Sequence, residues 1–252
     1  MKPLSPEILY LKQLAEFEPE VLLPLRPHLE SQAPSLRILT PEPALTTEDS
    51  DDRVIELMEL DRKASGCTLC PLSETRHKVV FGVGNPKARL MFVGEAPGAD
   101  EDRQGEPFVG RAGQLLDKIL AAMKLNRKGV YIANVLKCRP PGNRNPQPHE
   151  AVACLPYLKR QIDLIAPDVI VALGHVAATH LMEIRATSTV KDARGRIFDL
   201  NGKPLIVTYH PAALLRNPAL KAPTWEDMQK VMKLLSGEIT WQPSPVPTPG
   251  LV

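Results

Sequence analysis

Four short apolar runs alternate with helix-forming segments, and this alternation constrains the fold more than any other feature of the chain. The runs are predicted strands at residues 89–93, 130–134, 168–173 and 205–208. The segments between them repeat apolar residues at intervals of three and four, which is typical of amphipathic helices. Strands separated by helices pair in parallel through right-handed crossovers, so helices cover both faces of the sheet. The alternation therefore predicts an α/β fold.

Polar side chains stand at the carboxyl ends of three of these strands. Glu95 comes after the first predicted strand, Asn134 ends the second and His210 follows the fourth. In an open parallel sheet the ligand site lies outside the carboxyl ends of the strands. We therefore expect these three groups, which are distant in sequence, to converge in one site.

Proline-rich segments at both ends divide the chain. Residues 1–50 contain eight prolines and end in an acidic patch, which predicts an N-terminal extension or linker: a partner-binding arm or a small helical appendage. Residues 241–252 alternate proline with small residues and predict a disordered tail. The predicted globular domain covers residues 51–240.

Composition excludes several classes of protein. Hydrophobic residues make up 43% of the chain, as in a globular protein with a core. No stretch is long and apolar enough to span a bilayer, and the start has no signal-peptide pattern. The net charge of +2 is too small to indicate nucleic-acid binding by itself. We expect a cytoplasmic protein that does not contact a membrane.

The four cysteines of the chain are the strongest indication of a cofactor. Cys67 and Cys70 form a C-x2-C pair, and Cys138 and Cys154 form a looser C-x15-C pair. Cytosolic thiols stay reduced, so the four predict a shared metal centre before two disulfides or small buried apolar residues. Four thiolates suit either zinc or an iron–sulfur cluster. The spacing alone leaves both open.

Two loop motifs follow the first predicted strand. The glycines and proline of residues 94–98 make a tight loop, which is either a strand-to-helix turn or a ligand loop lined by backbone amides. Asp100, Glu101 and Asp102 come next. They form either a solvated helix start or a site where one carboxylate activates water.

Three single side chains fit base recognition as well as a structural role. Phe108 can be a core residue or can stack on a base. Asn134 can form a turn or can read a donor–acceptor edge with both halves of its amide. His210 can be structural or can donate a hydrogen bond to a developing anion.

The segment after His210 offers apolar and basic groups. Leu214 and Leu215 fall in a predicted loop, where exposed leucines suit insertion into a binding partner. Four basic residues near the strand-end loops suit contacts to phosphates: Arg139, Arg144, Arg216 and Lys221.

Taken together, these motifs closely resemble the family 4 uracil-DNA glycosylases, the iron–sulfur branch found mainly in bacteria and archaea. The resemblance covers about residues 65–235. Five ordered motifs carry it beside the cysteines: FGVGNP (81–86), GEAPGADED (94–102), PFVGRAGQLL (107–116), ANVLKCRPPGNRNP (133–146) and HPAALLRNP (210–218).

The resemblance implies a fold, a cofactor and a reaction. The fold is the three-layer α/β/α sandwich of the uracil-DNA glycosylase superfamily, with a central four-stranded parallel sheet. The four cysteines match the ligands of a [4Fe–4S] cluster: Cys67, Cys70, Cys138 and Cys154. The reaction is flipping of uracil out of single- or double-stranded DNA and hydrolysis of its N-glycosidic bond. It leaves an abasic site for base excision repair.

Individual residues match the family's pocket. Phe108 matches the platform on which the flipped uracil stacks, and Asn134 matches the residue that reads its edge. His210 matches the histidine that stabilises the uracil anion. Leu214 matches the side chain that fills the gap in the base stack. Glu95 matches the glutamate of the first motif, which helps to shape the pocket.

Water activation distinguishes this chain from the best-known uracil glycosylases. Those enzymes carry an aspartate at the pocket position of Ala96, which has no group that could activate water. Glu101 and Asn143 match residues that support attack by water, and we expect Glu101 to contribute most. The segment 190–198 lacks the histidine with which a related branch traps the abasic sugar, so we expect no covalent capture.

Two further functions compete with a monofunctional glycosylase. The first of these is a non-catalytic iron–sulfur protein that recognises damaged or single-stranded DNA. The second is a zinc-stabilised nucleotide-binding protein, and the absence of a G-x-x-x-x-G-K-[ST] motif weakens this interpretation. We expect the glycosylase to act as a monomer in a prokaryotic cytoplasm, associated with the nucleoid at sites of damage.

Overall fold

A computed structural model describes residues 47–182 and 189–242 of the chain. These residues form one six-stranded sheet in the order β1-β3-β2-β4-β6-β5. The strands are β1 (Val83–Gly84), β2 (Leu90–Gly94), β3 (Tyr131–Asn134), β4 (Val169–Leu173), β5 (Ile197–Leu200) and β6 (Lys203–Thr208). The four inner strands pair in parallel, which confirms the predicted parallel sheet.

The two outer strands were not predicted, and both pair antiparallel to their neighbours. β1 has two residues and pairs with β3, and β5 pairs with β6. Neither contains a fully buried residue. Short, partly exposed edge strands have no continuous apolar run, so the pattern that predicts the inner strands does not find them.

Helices cover both faces of the sheet, as the alternation predicts. The described helices are α1 (Thr47–Ser65), α2 (Ala99–Gln104), α3 (Arg111–Ala122), α4 (Pro148–Ile165), α5 (His175–Met182), α6 (Val190–Ala193), α7 (Pro211–Arg216) and α8 (Lys221–Ser236). One apolar core joins Met91 and Val93 of β2 to α1, α4 and α5. The other joins Leu90 and Phe92 to α3 and α8. Alternate residues of one strand thus enter opposite cores, which makes the three-layer sandwich.

The register of the sheet brings the motif residues to one edge. Gly94, the last residue of β2, pairs with Asn134, the last residue of β3. On the other side of β2, β4 and β6 run in the same direction, and Leu173 pairs with Thr208. The loops that carry Glu95 and His210 therefore leave the sheet on the side where β3 ends at Asn134.

The predicted chain ends fall mostly outside the described residues. The predicted extension, residues 1–50, is described only from Thr47, where α1 begins. The predicted tail, residues 241–252, is described only at residues 241 and 242. The division of the chain at residues 51 and 240 therefore stays a prediction. Within residues 47–182 and 189–242, no helix has both the length and the apolar character needed to cross a membrane.

Candidate active site and cysteine centre

An open pocket of about 440 Å³ lies at the carboxyl edge of the sheet. Its volume is in the range of small-molecule binding sites. The pocket gathers eight of the nine predicted site residues that are not cysteines: Glu95, Ala96, Glu101, Phe108, Asn134, Asn143, His210 and Arg216. The rest of its lining contains Pro97 and Gly98 of the predicted ligand loop and Arg144, for which we expected a phosphate contact. Four residues were not predicted: Ala112, Pro140, Asn145 and Ala212.

Asn134 presents an unpaired acceptor to this pocket. Asn134 is 2% exposed, and its side-chain Oδ1 accepts no hydrogen bond from the described part of the chain. A Cβ on Gly94 would stand 2.4 Å from this oxygen, so the close approach of the two strand ends requires glycine. A buried acceptor without a partner costs about 1–3 kcal/mol. Such an atom fits a ligand that brings its own N–H donor.

Phe108 is held in a strained conformation beside Asn134. Its φ is 55°, in the left-handed region that non-glycine residues rarely adopt. Arg127 holds this turn, because its Nη1 donates to the Phe108 carbonyl at 3.0 Å and its Nη2 to the Pro107 carbonyl at 2.5 Å. A Cβ on Gly113 would meet the Phe108 carbonyl at 1.6 Å. The aromatic ring is thus fixed by its backbone.

His210 faces Phe108 across the pocket, with ring centroids 5.5 Å apart and planes inclined by 31°. The main-chain N–H of Ala212 donates to His210 Nδ1 at 3.1 Å, so the neutral ring carries its proton on Nε2. Burial lowers the pKa of His210 to about 4, the nearby Arg216 adds to this shift, and the Glu101 carboxylate opposes it. At neutral pH His210 is therefore a neutral N–H donor.

Glu101 ties together the two loops that border the pocket. One carboxylate oxygen accepts from the main-chain N–H groups of Val109 and Gly110, both at 2.9 Å. The other accepts from the Gly98 N–H at 3.1 Å. A carboxylate has about four acceptor sites, so three bonds leave about one for a water molecule. Glu101 can therefore hold the pocket and still orient water.

The remaining polar lining comes from the first motif and from the loop before α4. Burial raises the pKa of Glu95 above its ordinary value. Asn143 has a φ of 56°, and its Oδ1 accepts from Arg139 Nε at 2.7 Å. Arg144 pairs through both terminal nitrogens with the buried carboxylate of Glu150, at 2.8 and 2.5 Å.

The structure contradicts the expected exposure of Leu214. The segment that we expected to be a loop is the helix α7, which packs against α3. Leu214 is only 2% exposed and lies outside the pocket lining. Leu215, one residue later, is 39% exposed. Helical geometry turns consecutive side chains in different directions, so one leucine packs inward and the next faces solvent.

All four cysteines line a second recess, between α1, α4 and the segment after β3. They are free thiols. Arg76 Nη1 donates to Cys138 Sγ at 3.3 Å, and the main-chain N–H of Lys137 donates to Cys154 Sγ at 3.1 Å. Burial raises the pKa of Cys154 to about 12, and it also raises that of Cys70 and Cys138. These thiols become ligands only when a bound cation displaces their protons.

The recess does not have the arrangement of a single-ion site. Within the described ranges, no three His, Cys, Asp or Glu side chains form a group that could hold one metal ion. A structural zinc site draws four sulfurs to about 2.3 Å from one ion. A cubane cluster spreads its four thiolates, because each binds a different iron. Four free thiols around one recess, with N–H donors bonded to two of the sulfurs, form a donor set that suits an iron–sulfur cluster or zinc.

Comparison with known proteins agrees with the motifs. Residues 81–229 match the model of the uracil DNA glycosylase superfamily. The type-4 uracil-DNA glycosylase of Thermotoga maritima is 46% identical over 187 residues, which cover 73% of this chain and 97% of that protein. That of Archaeoglobus fulgidus is 46% identical over 194 residues, 74% of this chain and 94% of that protein. This chain belongs to the type-4 uracil-DNA glycosylases.

The sequence patterns did not predict three basic residues that contact the pocket or the cysteines in this type-4 chain: Arg76, Arg127 and Lys137. Arg127 lies 19 residues from the Phe108 carbonyl that it holds. Arg76 and Lys137 flank the cysteines, yet basic residues next to a cysteine motif are common on solvated surfaces. Their positions depend on tertiary packing, and no spacing rule predicts it. For Lys137 alone a weak signal exists, because it lies between a buried apolar run and Cys138.

Proposed function

We propose that this chain excises uracil from DNA by hydrolysing the bond between the base and the sugar. The observation that carries this proposal is the unpaired, buried Oδ1 of Asn134 beside Phe108 and His210. Uracil has an N–H donor between two carbonyl acceptors. An asparagine amide offers the complementary acceptor and donor. A base inside a duplex cannot reach such a pocket, so it must be flipped out.

In the pocket, Phe108 supplies the stacking face and Asn134 reads the edge of the base. Breaking the N-glycosidic bond leaves its electron pair on uracil and builds positive charge on the sugar. The Nε2–H of neutral His210 donates a hydrogen bond to the carbonyl oxygen where the negative charge collects. Because the ring is already neutral in the free protein, no proton has to be removed before the reaction.

Water completes the reaction at the sugar. Glu101 and Asn143 border the pocket, and we propose that they position the attacking water. The water oxygen bonds to the sugar carbon as the uracil anion leaves, and the released proton passes to Glu101 or to solvent. Ala96 adds no polar group there. Glu95 lines the pocket and shapes its wall.

We infer that Cys67, Cys70, Cys138 and Cys154 hold a [4Fe–4S] cluster. The support is the chemistry of the donor set, four free thiols around one recess with N–H donors bonded to two of the sulfurs, together with the match to the type-4 enzymes. These cysteines would hold the cluster from the start of the domain, the turn after β3 and α4, and the cluster would supply a covalent link between these three segments. The segment 138–154, which contains Asn143, then has both of its ends fixed.

We assign contacts with DNA to the rim of the pocket. Arg216 lines the pocket, and Arg139 and Arg144 lie on the loop before α4, where they suit phosphates. Leu215 takes the place that we predicted for Leu214, because it is the exposed leucine of α7. Its side chain would fill the gap that the flipped base leaves. A monomeric, cytoplasmic enzyme that acts near the nucleoid remains a prediction.

Uracil release from a labelled oligonucleotide tests the proposal. Wild type should release uracil from single- and double-stranded DNA. His210→Ala should lower the single-turnover rate constant about 10²–10³-fold, which is the usual effect of losing one such donor. His175→Ala is the matched control, because His175 is exposed and lies outside the pocket lining. Tight DNA binding without release by wild type would favour the non-catalytic DNA-binding protein instead.

A further inference from the structure

One hydrogen bond fixes the orientation of the Asn143 amide, which borders the uracil pocket. Its Oδ1 accepts from Arg139 Nε at 2.7 Å. A guanidinium can only donate, so the amide atom beside it is the oxygen and not the nitrogen. The Nδ2 group on the other side of the amide donates to no group within residues 47–182 and 189–242. Asn143 therefore offers unused N–H donors at the pocket and not an acceptor.

The backbone of the turn sets where this amide stands. Gly142 and Asn143 both have left-handed φ angles, 63° and 56°. Asparagine tolerates this region better than most side chains do. Pro140 and Pro141 precede the turn with ring-restricted φ angles, and the Asn143 main-chain N–H donates to the Pro140 carbonyl at 3.0 Å. The backbone thus places the amide, and the bond from Arg139 sets its rotation.

A buried ion pair holds the turn on its other side. Arg144, the residue after Asn143, donates through both terminal nitrogens to Glu150, which is 1% exposed. The same carboxylate accepts from the Gln147 main-chain N–H at 2.8 Å. Bidentate pairs of this kind are strong and directional. The turn that carries Asn143 is therefore fixed before and after the amide by bonds that involve no cysteine.

The donor of Asn143 complements the acceptor of Glu101. A water that attacks the sugar uses one lone pair for the new bond and releases a proton to an acceptor, which Glu101 supplies. Its second lone pair is free to accept a hydrogen bond. Asn143 lies on the pocket lining with Glu101 and has such a donor unused. One water can thus be held between an acceptor and a donor.

We propose that Arg139 is a positioning residue that turns the Asn143 amide so that Nδ2–H donates to the oxygen of the attacking water. The inference rests on the proposed function. The water oxygen bonds to the sugar carbon, its proton passes to Glu101, and the bond from that carbon to uracil breaks with its electron pair on the base. Phosphate contact, which we predicted for Arg139, stays open to its terminal nitrogens, because only Nε bonds to Asn143.

Asn143→Asp and Asn143→Ala together test the donor. Aspartate keeps the shape of the side chain and replaces the two N–H donors with an acceptor oxygen. We expect both variants to lower the single-turnover rate constant on single-stranded uracil-DNA, at saturating protein, by about tenfold to a hundredfold. An Asn143→Asp variant that cleaves at the wild-type rate would overturn the proposal, because an acceptor would then serve equally well.

Two binding measurements on Asn143→Ala exclude other acceptors for this donor. Inhibition by free uracil and the Kd for DNA should stay within about twofold of wild type, because the bond to water forms only on the way to the transition state. A weakening of about tenfold in uracil inhibition would assign the donor to the base. A similar weakening of the Kd would assign it to a phosphate. Either result would overturn the proposal.

A double-mutant cycle tests whether Arg139 acts through Asn143. Arg139→Lys keeps a positive charge for phosphates and places a methylene where Nε was. It should lower the rate constant about tenfold in the wild-type background and less than about twofold in the Asn143→Ala background. Arg160→Lys, at an exposed arginine that pairs with Glu56, is the matched control. Equal losses in both backgrounds would overturn the role of Arg139.

The two Asn143 variants keep the test decisive if Arg139→Lys does not fold, because Asn143 is exposed on its turn. A failure of the proposed function is distinct from all these results. It requires wild-type protein that releases no uracil.

Discussion

The uracil pocket and the cysteine centre meet at the end of β3, but they hold their functional groups in different ways. In the pocket, backbone conformation positions the side chains: Phe108 has a left-handed φ, and Glu101 accepts three main-chain N–H bonds. In the cysteine centre, the thiols come from three separated segments, and the Arg76 side chain and the Lys137 main-chain N–H donate to two of the sulfurs. The chain itself shapes the pocket, whereas the four sulfurs would be joined to one another only by the cluster that we propose.

This difference predicts opposite responses to substitution. Damage in the pocket should lower activity and leave the fold intact, because the pocket lies on loops outside the sheet. Substitutions among the four cysteines should lower both the activity and the stability of the fold, because the recess belongs to the apolar core that joins α1 and α4 to the sheet.

The largest expected effect comes from Cys154→Ser. Cys154 is 8% exposed in α4, and serine is a poor ligand for iron. If the proposed cluster is present, we expect loss of its visible absorbance, loss of uracil release and a lower midpoint of thermal unfolding. Iron analysis, single-turnover kinetics and a thermal melt measure the three. A colourless variant with wild-type rate and stability would mean that the centre does not support the fold.

Arg127→Ala should produce the next largest effect, confined to the pocket. The substitution removes the donors that hold the Phe108 and Pro107 carbonyls. The strained turn should relax, and we expect kcat/KM to fall about tenfold to a hundredfold, in line with the cost of misplacing a binding group. The cluster absorbance should stay unchanged. Arg89→Ala, which removes an exposed ion pair with Asp168, is the control. Equal losses in both variants would refute a specific role for Arg127.

Leu215→Ala should affect duplex DNA only. An inserted side chain stabilises the flipped state of a duplex base, so we expect about a tenfold lower rate on double-stranded DNA and little change on single strands. Leu214→Ala should behave differently. It removes a buried side chain and should destabilise the protein by about 2–5 kcal/mol. If Leu214→Ala were stable and lost duplex activity while Leu215→Ala did not, the inserted residue would be Leu214.

The smallest expected effect at neutral pH is the contribution of His210 to acid stability. Its pKa falls from 6.5 in the unfolded chain to about 4 in the folded protein. Between these values the unfolded chain binds the extra proton, so stability decreases as pH falls through this window. The decrease is at most about 3 kcal/mol, since the ring keeps some contact with solvent. His210→Gln should lose this part of the pH dependence in urea titrations, and an unchanged slope would place the ring in water.

The sequence predicts the pocket better than the centre because strand-end motifs carry the pocket's chemistry. Asn134 and His210 follow recognisable apolar runs, and parallel pairing brings their strands to one edge. The four cysteines were recognisable in the sequence as readily as the residues of the pocket. Their cationic neighbours and Arg127 were not, because tertiary packing alone places them. Leu214 shows the limit inside a motif, since loop or helix geometry decides which of two adjacent leucines is exposed.

The central claim is that Asn134 keeps an unpaired acceptor for uracil, and Asn134→Leu tests it most directly. Leucine has a similar volume and removes the buried oxygen that accepts no bond from the described chain. The account predicts a variant with unchanged or higher midpoint of thermal unfolding, an intact cluster and uracil release lowered about 10³-fold or more. A variant that releases uracil at the wild-type rate, or one that unfolds because the amide was structural, would contradict the claim.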